Sequence, residues 1–304
     1  MNDATFKQLR VAVIGGCQIT GLTATARLLL PGADVKGWHV GVHPKDSDDD
    51  LLTQLPGFDL VISQLSDRDE HVPLRVTRLR ERGLPVIYLP VMVFPGFHPD
   101  ITHVHKSGGL VPGLATNYHS LIVAAAFTLG LPQARVPGLF NTFVFSELGY
   151  FEIFEAAKTA LFTEFDKAGY DLRPPFALWL TQVGQFMYTV NHPHIVVLAT
   201  MCRLALARAG HLDAATPLPA DIDDYLATHF IWPTYPALAR RIGLPGSTTF
   251  LVNSYGLADG QTRELTLAEY VSACYRQYGG LETDALRVGD VAKACDRLGT
   301  LVVA

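Results

Sequence analysis

The sequence predicts an α/β fold, in which a parallel sheet of βαβ units forms the N-terminal part and an α-helical C-terminal part packs on it. Up to about residue 110, apolar strand-like runs alternate with helical patterns at intervals of roughly 20 to 25 residues, as in consecutive βαβ units. From about residue 115 onward, apolar residues recur at helical spacing and proline-rich breaks separate the segments. We therefore expect an α/β domain over residues 1–115 and a helical part over residues 116–304, which can also form one continuous domain with it.

The individual elements follow from these patterns in chain order. The predicted strands are Val11–Ile14, Asp34–Val40, Phe58–Ser63 and Pro85–Phe94, and the helices between them are Gln18–Leu30, Asp48–Leu55 and Glu70–Arg82. The later predicted helices are Tyr118–Leu129, Tyr150–Ala168, Phe176–Tyr188, His194–Ala209, Tyr235–Ile242, Leu265–Tyr278 and Val288–Leu298. Right-handed crossovers would bring the segments that follow the strands to one edge of the sheet. Those segments are Gly15–Gln18, Ser63–Ser66 and Pro95–Asp100.

Composition and charge exclude several classes of protein. The net charge of −5 argues against a dominant nucleic-acid-binding surface. The four cysteines are widely spaced and form no CxxC pair, which suits a reducing cytoplasm better than a disulfide framework or a zinc site. The first residues lack the apolar run of a signal peptide, and later apolar runs are too short to span a membrane. The sequence leaves homo-oligomer formation open.

The most informative segment is Arg10–Gly21, where an apolar strand stops at Gly15 and Gly16 and continues into Cys17 and Gln18. Ligands of α/β sheets bind at the carboxyl ends of strands, and a helix N-terminus lowers the pKa of a nearby thiol. Cys17 is thus a candidate nucleophile, or a residue that positions a thioester. The alternatives are a dinucleotide fingerprint, which the cysteine two positions after Gly15 disfavours, and a structural cysteine.

A catalytic thiol or an acceptor hydroxyl needs a base, and histidine is the usual one. His98 is the first candidate because it follows a predicted strand and precedes Pro99 and Asp100, whose carboxylate could orient an imidazole. His192, also followed by a proline, is the second. His119 is a core or substrate-contacting histidine, and a His-Pro-Asp turn without catalytic meaning is the alternative for His98. His103 and His105 lack a completing ligand, so we expect no metal site.

Donors and cations near the predicted edge could hold a ligand. The backbone at Gly15 and Gly16, together with Ser63, Gln64 and Gln18, offers donors for an acyl oxygen or a sugar hydroxyl. Ser66 and Asp67 serve equally well as caps of the next helix. Arg68, Lys106 and Arg10 are the cations nearest the predicted crevice.

Several motifs resemble those of one family. Gly15-Gly16-Cys17-Gln18 is similar to the Gly-Asn-Cys-Gln signature of the WcbI family, which is associated with acetyl transfer in capsular polysaccharide biosynthesis. The segments Phe58–Gln64, Phe94–Asp100, Tyr118–Ser120, Leu148–Tyr150 and Asn191–Pro193 and the Trp232–Phe250 region look like further motifs of that family, in the same order. The departure is Gly16, which stands where the family usually has asparagine.

The resemblance implies a function and a cofactor. It implies that the protein binds coenzyme A or acetyl-CoA and transfers an acetyl group to a sugar hydroxyl of a capsular or extracellular polysaccharide. Cys17, Gln18, His98, His192 and Asp100 would then be catalytic. The cofactor would contact Gly15, Gly16, Ser63, Gln64, Arg68, Lys106, Tyr118 and His119. The alternatives are an SGNH-like esterase with cysteine or serine chemistry, which acts on acylated glycans, and a non-catalytic subunit that binds CoA or a glycan.

Overall fold

The computed structural model describes residues 7–40, 47–106, 109–114, 116–253 and 261–302. The chain divides into two compact units, each made of several segments. Unit 1 comprises residues 1–92, 161–186 and 192–226, and unit 2 comprises residues 93–160, 187–191 and 227–304. This division departs from the single boundary near residue 115, because parts of the helical second half of the chain belong to the same unit as the N-terminal strands.

Helices and short strands make up both units. The helices are α1 Ile19–Leu29, α2 Ser47–Gln54, α3 Val76–Glu81, α4 Leu121–Thr128, α5 Thr142–Glu147, α6 Tyr150–Lys167, α7 Arg173–Gln182, α8 Ile195–Arg208, α9 Pro236–Arg241, α10 Leu267–Tyr278 and α11 Gly289–Val302. The strands are β1 Arg10–Gly15, β2 Asp34–His39, β3 Leu60–Ser63, β4 Val86–Tyr88, β5 Ile101–His103, β6 His105–Lys106, β7 Gly109–Leu110, β8 Tyr118–Ser120, β9 Phe250–Val252 and β10 Arg263–Leu265.

The described part of unit 1 contains a parallel sheet of four strands in the order β2-β1-β3-β4. The predicted α/β fold with βαβ units is thereby confirmed. The segment from Val11 to Ile14 in β1 is completely buried, as expected of a central parallel strand that helices cover on both faces.

Helices cover both faces of this sheet. On one face, Ala12 and Ile14 of β1 share a core with Leu51 of α2 and Leu79 of α3. Elsewhere in unit 1, α1 packs closely against α8. A Cβ atom at Gly21 of α1 would lie only 2.6 Å from Leu198 Cδ1 of α8, so a larger residue at position 21 would force the helices apart.

Unit 2 is held by an aromatic and aliphatic core around α4, whose residues from 122 to 126 are fully buried. The rings of Phe250 and Tyr270 stack there with centroids 4.0 Å apart. The strand pairs β5–β8, β6–β7 and β9–β10 are short antiparallel ribbons. No helix among the described residues has both the length and the apolar character needed to cross a bilayer.

Several predicted elements differ from the structure. The helix expected over Phe176–Tyr188 spans Arg173–Gln182 instead, and three further differences have local reasons. The strand expected over Pro85–Phe94 is limited to β4, because Pro90 and Pro95 have no N–H group for a strand ladder. The helix expected from Tyr118 begins only at Leu121, after β8, with Ser120 as its N-cap. The helix expected over Glu70–Arg82 is interrupted at Arg75, whose backbone is extended with φ −57° and ψ 142°.

Candidate functional site

The carboxyl ends of β1 and β3 lie side by side at the centre of the sheet, where Ile14 pairs with Ser63. In the sheet, β2 lies on one side of β1, and β3 and β4 lie on its other side. The crossover connections therefore run in opposite directions from the boundary between β1 and β3. Ligands of open α/β sheets bind at such a switch point. Cys17 and Gln18 follow β1, and Gln64 follows β3, so the structure brings these predicted residues to that point.

A network of side-chain hydrogen bonds joins the segments after three of the strands. The Gln18 side chain donates from Nε2 to the Met92 carbonyl oxygen at 2.7 Å, and its Oε1 accepts from the Met92 N–H group at 3.1 Å. The Gln64 Nε2 group donates to the same Gln18 Oε1 at 3.0 Å. Gln18 is only 1% exposed, and its amide connects the segments that follow β1, β3 and β4 at this edge of the sheet.

Cys17 is the one cysteine of the four with a partly exposed side chain. Burial raises the pKa of its thiol to about 11, although the backbone N–H groups of Cys17 and Gln18 act in the opposite direction. The sequence-based expectation of a lowered pKa is therefore wrong. The two N–H groups still direct positive charge at the sulfur, which would stabilise an anion that formed there.

The two glycines before Cys17 have different surroundings. A Cβ atom at Gly15 would lie 2.8 Å from Gln64 Oε1 and 3.0 Å from Gln64 Cβ, so the strand end and Gln64 approach each other closely because residue 15 is glycine. A Cβ atom at Gly16 would have no neighbour within 4 Å. Position 16, where the family that the sequence resembles usually has asparagine, thus has room for a side chain.

The remaining predicted binding residues of unit 1 have distinct roles. Ser63 is completely buried, and its hydroxyl accepts a hydrogen bond from the Leu65 N–H group at 3.2 Å. Arg68 is exposed on the loop after β3. Arg10 is the first residue of β1, at the opposite edge of the sheet, and pairs with Asp34. The expectation that Arg10 lies near the crevice is therefore wrong. The side chain of Lys106 lies outside the described part of the chain.

His98 and its neighbours belong to unit 2. The His98 imidazole is 1% exposed, and its Nε2 lies 2.9 Å from the Trp232 carbonyl oxygen, so Nε2 carries the proton and donates it. Its Nδ1 is buried without a hydrogen-bond partner among the described residues. Burial lowers the pKa of His98 to about 3, and the imidazole is neutral at pH 7.

Asp100 is fully buried in unit 2, where it contacts the N-terminus of α4. Its Oδ1 accepts from the Tyr150 hydroxyl at 2.8 Å and from the Ile122 N–H group at 3.0 Å. Its Oδ2 accepts from the Tyr235 hydroxyl at 2.8 Å. Burial raises the pKa of Asp100 to about 6, and hydrogen bonds, among them one with the Ser120 side chain, limit the rise. The described partners of this carboxylate are hydroxyl and N–H groups, whereas the sequence suggested an imidazole.

The other predicted histidines are also well buried. His119 lies in β8 of unit 2, not in a helix, with Nδ1 2.6 Å from the Tyr278 hydroxyl and Nε2 2.9 Å from the Val111 carbonyl. Burial lowers its pKa. The neighbouring Tyr118 hydroxyl donates to the Asn191 side chain. His192 belongs to unit 1, is 8% exposed and precedes the His194 N-cap of α8.

A cleft of about 590 Å³ in unit 1, which we name the basic cleft, contains functional candidates that sequence reasoning missed. Arg80, Lys167 and Arg208 line it together with Arg68. No sequence pattern indicates that they converge, because they come from three helices far apart in the chain. Among the described residues, no group of three histidine, cysteine or carboxylate side chains could hold a metal ion.

Comparison with known proteins places the chain in a family. The family pattern described as "polysaccharide biosynthesis enzyme WcbI" matches residues 10–213, about two thirds of the chain. The chain belongs to the WcbI family. No curated protein matches it.

A solved structure of a WcbI family member has the same fold. It is similar with a TM-score of 0.69 and 16% identity, over 96% of this chain and 99% of that one. It is described as WcbI, a novel polysaccharide biosynthesis enzyme, in a native form without a disulfide bond between CoA and one of its cysteines. At this identity the similarity establishes only the fold of this protein.

Proposed function

We propose that this protein is an acyltransferase that binds CoA thioesters and transfers an acetyl group to a sugar hydroxyl in capsular or extracellular polysaccharide biosynthesis. The observation that carries the proposal is the position of Cys17, a partly exposed thiol at the switch point of the sheet. Family membership and the pairing of CoA with a cysteine in the description of the similar structure support it. The cysteine pattern supports action on the cytoplasmic side.

The roles of the residues follow from their protonation states. With a pKa of about 11, Cys17 is a thiol at pH 7, so we propose that it positions the thioester sulfur and does not carry the acyl group. The acceptor oxygen would attack the thioester carbonyl carbon, and the acceptor proton would pass to a histidine. The C–S bond would then break, and the histidine would return the proton to the CoA sulfur as CoA leaves. The N–H groups of Cys17 and Gln18 would stabilise the developing negative charge.

We propose that a buried histidine is the base. His98 is the first choice, because its Nδ1 lone pair has no described partner and is the atom that would accept the proton. Asp100 would then be a positioning residue, since Tyr235 contacts both Asp100 and Trp232, whose carbonyl oxygen holds His98. His192 is the second choice. For binding we propose Gly15, Gly16, Ser63, Gln64, Arg68, Lys106, Tyr118 and His119.

Calorimetry and turnover assays test the proposal. We expect saturable binding of CoA and acetyl-CoA, and release of CoA thiol only when a sugar acceptor is present. The Cys17→Ala variant should lose activity, while Cys202→Ala, which alters a buried cysteine of α8, should keep CoA affinity. Absence of CoA binding by the folded wild-type protein would refute the function, and hydrolysis of acylated glycans without CoA would favour the esterase.

Intact-protein mass spectrometry separates the two roles of Cys17. If the thiol positions the thioester, incubation with acetyl-CoA should leave the protein mass unchanged. A stable acetyl adduct that disappears in Cys17→Ala would show instead that Cys17 is the nucleophile.

A further inference from the structure

The basic cleft of unit 1 lies beside the carboxyl end of β4. The loop after β3 contributes Arg68, α3 contributes Arg80, and the C-terminal turns of α6 and α8 contribute Lys167 and Arg208. Four side-chain cations therefore face one cavity of about 590 Å³.

These cations are largely unneutralised by the protein itself. The side chains of Arg68, Arg80 and Lys167 form no hydrogen bond or ion pair with the residues that the structure describes. Arg208 donates from Nη1 to the Gly169 carbonyl oxygen at 2.8 Å and lies over the Tyr170 ring, so its guanidinium is fixed with other N–H groups to spare.

Two carboxylates also line the cleft, and they offset only part of this charge. The carboxylate of Asp67 is engaged by Thr77, whose hydroxyl donates to Oδ2 at 2.6 Å and whose N–H group donates to Oδ1 at 3.0 Å. These bonds lower the pKa of Asp67, which stays ionised. With Glu164 as the second carboxylate, four cations face two anions, and the cleft keeps an excess of positive charge.

We propose that the basic cleft binds the phosphate groups of a substrate. Guanidinium and ammonium groups that converge with N–H donors to spare form charge-assisted hydrogen bonds to phosphate oxygens. This inference rests on the proposed function, which supplies two phosphate-bearing candidates: the CoA donor, and an acceptor sugar linked to a nucleoside diphosphate.

The fold favours the CoA donor as the source of the phosphates. One strand, β3, separates β4 from β1 in the sheet, so their axes are about 10 Å apart. An extended pantetheine arm spans that distance from the cleft to Cys17. Ile87 and Tyr88 line the same cleft and offer an aliphatic and an aromatic side chain against which a purine base could pack.

Calorimetry on the full chain tests the cleft with inorganic pyrophosphate, CoA and UDP-glucose. The variants are Arg80→Gln, Lys167→Gln and the double variant. The matched control is Arg78→Gln, which changes an exposed arginine of the same helix that pairs with Glu81 at 2.9 Å. We expect pyrophosphate affinity to fall roughly tenfold for each cation removed and to stay within about twofold in the control.

The two substrates identify the source of the phosphates. If the cleft holds the donor, the double variant loses CoA affinity by a similar factor, and dephospho-CoA, which lacks the 3′-phosphate, binds more weakly than CoA to the wild type. If the cleft holds the acceptor, UDP-glucose affinity falls and CoA affinity does not. Either result supports phosphate binding.

Three results would overturn the proposal: no binding of pyrophosphate by the wild type, unchanged affinities in the double variant, or an equal loss in Arg78→Gln. Arg80→Lys, which keeps the charge, should retain most of the affinity, and unchanged melting temperatures exclude unfolding as the cause. Pyrophosphate binding that depends on Arg80 and Lys167 would survive a failure of the CoA proposal. If CoA binds but the double variant leaves the affinities for CoA, UDP-glucose and pyrophosphate unchanged, the cleft proposal fails while the proposed function stands.

Discussion

The end of β1 in unit 1 and the His-Pro-Asp turn in unit 2 have similar sequence signatures and opposite environments. Each places polar side chains next to residues that favour a turn, permissive glycines in one case and the restricted Pro99 in the other. Cys17 remains partly exposed, whereas His98 is 1% exposed and Asp100 is completely buried. A local motif therefore specifies the backbone turn, but not how far its side chains are exposed.

The two regions also differ in how their polar groups are satisfied. Hydrogen bonds from Tyr150, Tyr235 and the Ile122 N–H group converge on Asp100, so this carboxylate acts as an anchor for unit 2. At the end of β1, the anchor is the amide of Gln18, and the thiol next to it is left accessible. The following experiments probe this contrast between an anchor and an accessible group.

The largest effect is expected for Asp100→Ala. The substitution leaves several buried donors without an acceptor, and we expect the free energy of unfolding at pH 7 to fall by about 3 to 5 kcal/mol in urea titrations. Asp100→Asn keeps one acceptor oxygen and should cost less. Asp296→Ala, which removes an exposed ion pair with Arg287, is the control and should change stability by less than about 1 kcal/mol. A loss for Asp100→Ala as small as that of the control would contradict the anchor role.

A glycine pair tests the crowding at the end of β1. Gly15→Ala places a methyl group against Gln64, and we expect a loss of about 1 to 3 kcal/mol in the same titrations. Gly16→Ala meets open space and should change stability by no more than about 0.5 kcal/mol. Equal effects of the two substitutions would show that the Gln64 contact does not constrain this strand end.

Acid unfolding should report on His98. Its folded pKa, about 3, is lower than its ordinary value of 6.5, so the unfolded chain takes up the proton first as the pH falls. His98 should therefore lower stability by about 2 kcal/mol between pH 7 and pH 5. Asp100 acts in the opposite sense, because its pKa is raised to about 6 and its protonation favours the fold over the same interval.

The variant His98→Gln isolates the histidine contribution. Its stability should decline less than that of the wild type between pH 7 and pH 5, whatever the substitution costs at pH 7. Parallel curves for the two proteins would mean that His98 is not held neutral by burial.

The smallest effect is a difference in labelling kinetics. Brief alkylation of the native protein should modify Cys17 first, since the other three cysteines are 1–2% exposed. With a pKa of about 11, its labelling rate should rise about tenfold per pH unit from pH 7 to pH 9. A rate that levels off near pH 7 would indicate the low-pKa thiolate that the sequence alone suggested, and preferential labelling of Cys202 would contradict the burial pattern.

The βαβ pattern and the location of Cys17 were predictable because both depend on local periodicity and on the glycines at the strand end. The strand order was not, since it depends on which strands pair. The bond from Gln18 to Met92 spans 74 positions of sequence, and no local pattern indicates such a partner. The same holds for the basic cleft, because its cations come from a loop and three helices that are far apart in the chain.

The Gln18 side chain pairs with Met92 as a neighbouring strand would, because its amide both donates to and accepts from the same residue. The Met92 N–H group can therefore exchange with deuterium only when its hydrogen bond to Gln18 opens. The exchange rate of this amide therefore reports how often the edge of the sheet next to Cys17 opens. A ligand that binds there would slow exchange of this amide more than exchange of the α10 amides in unit 2, so occupancy of the edge could be measured without any assay of turnover.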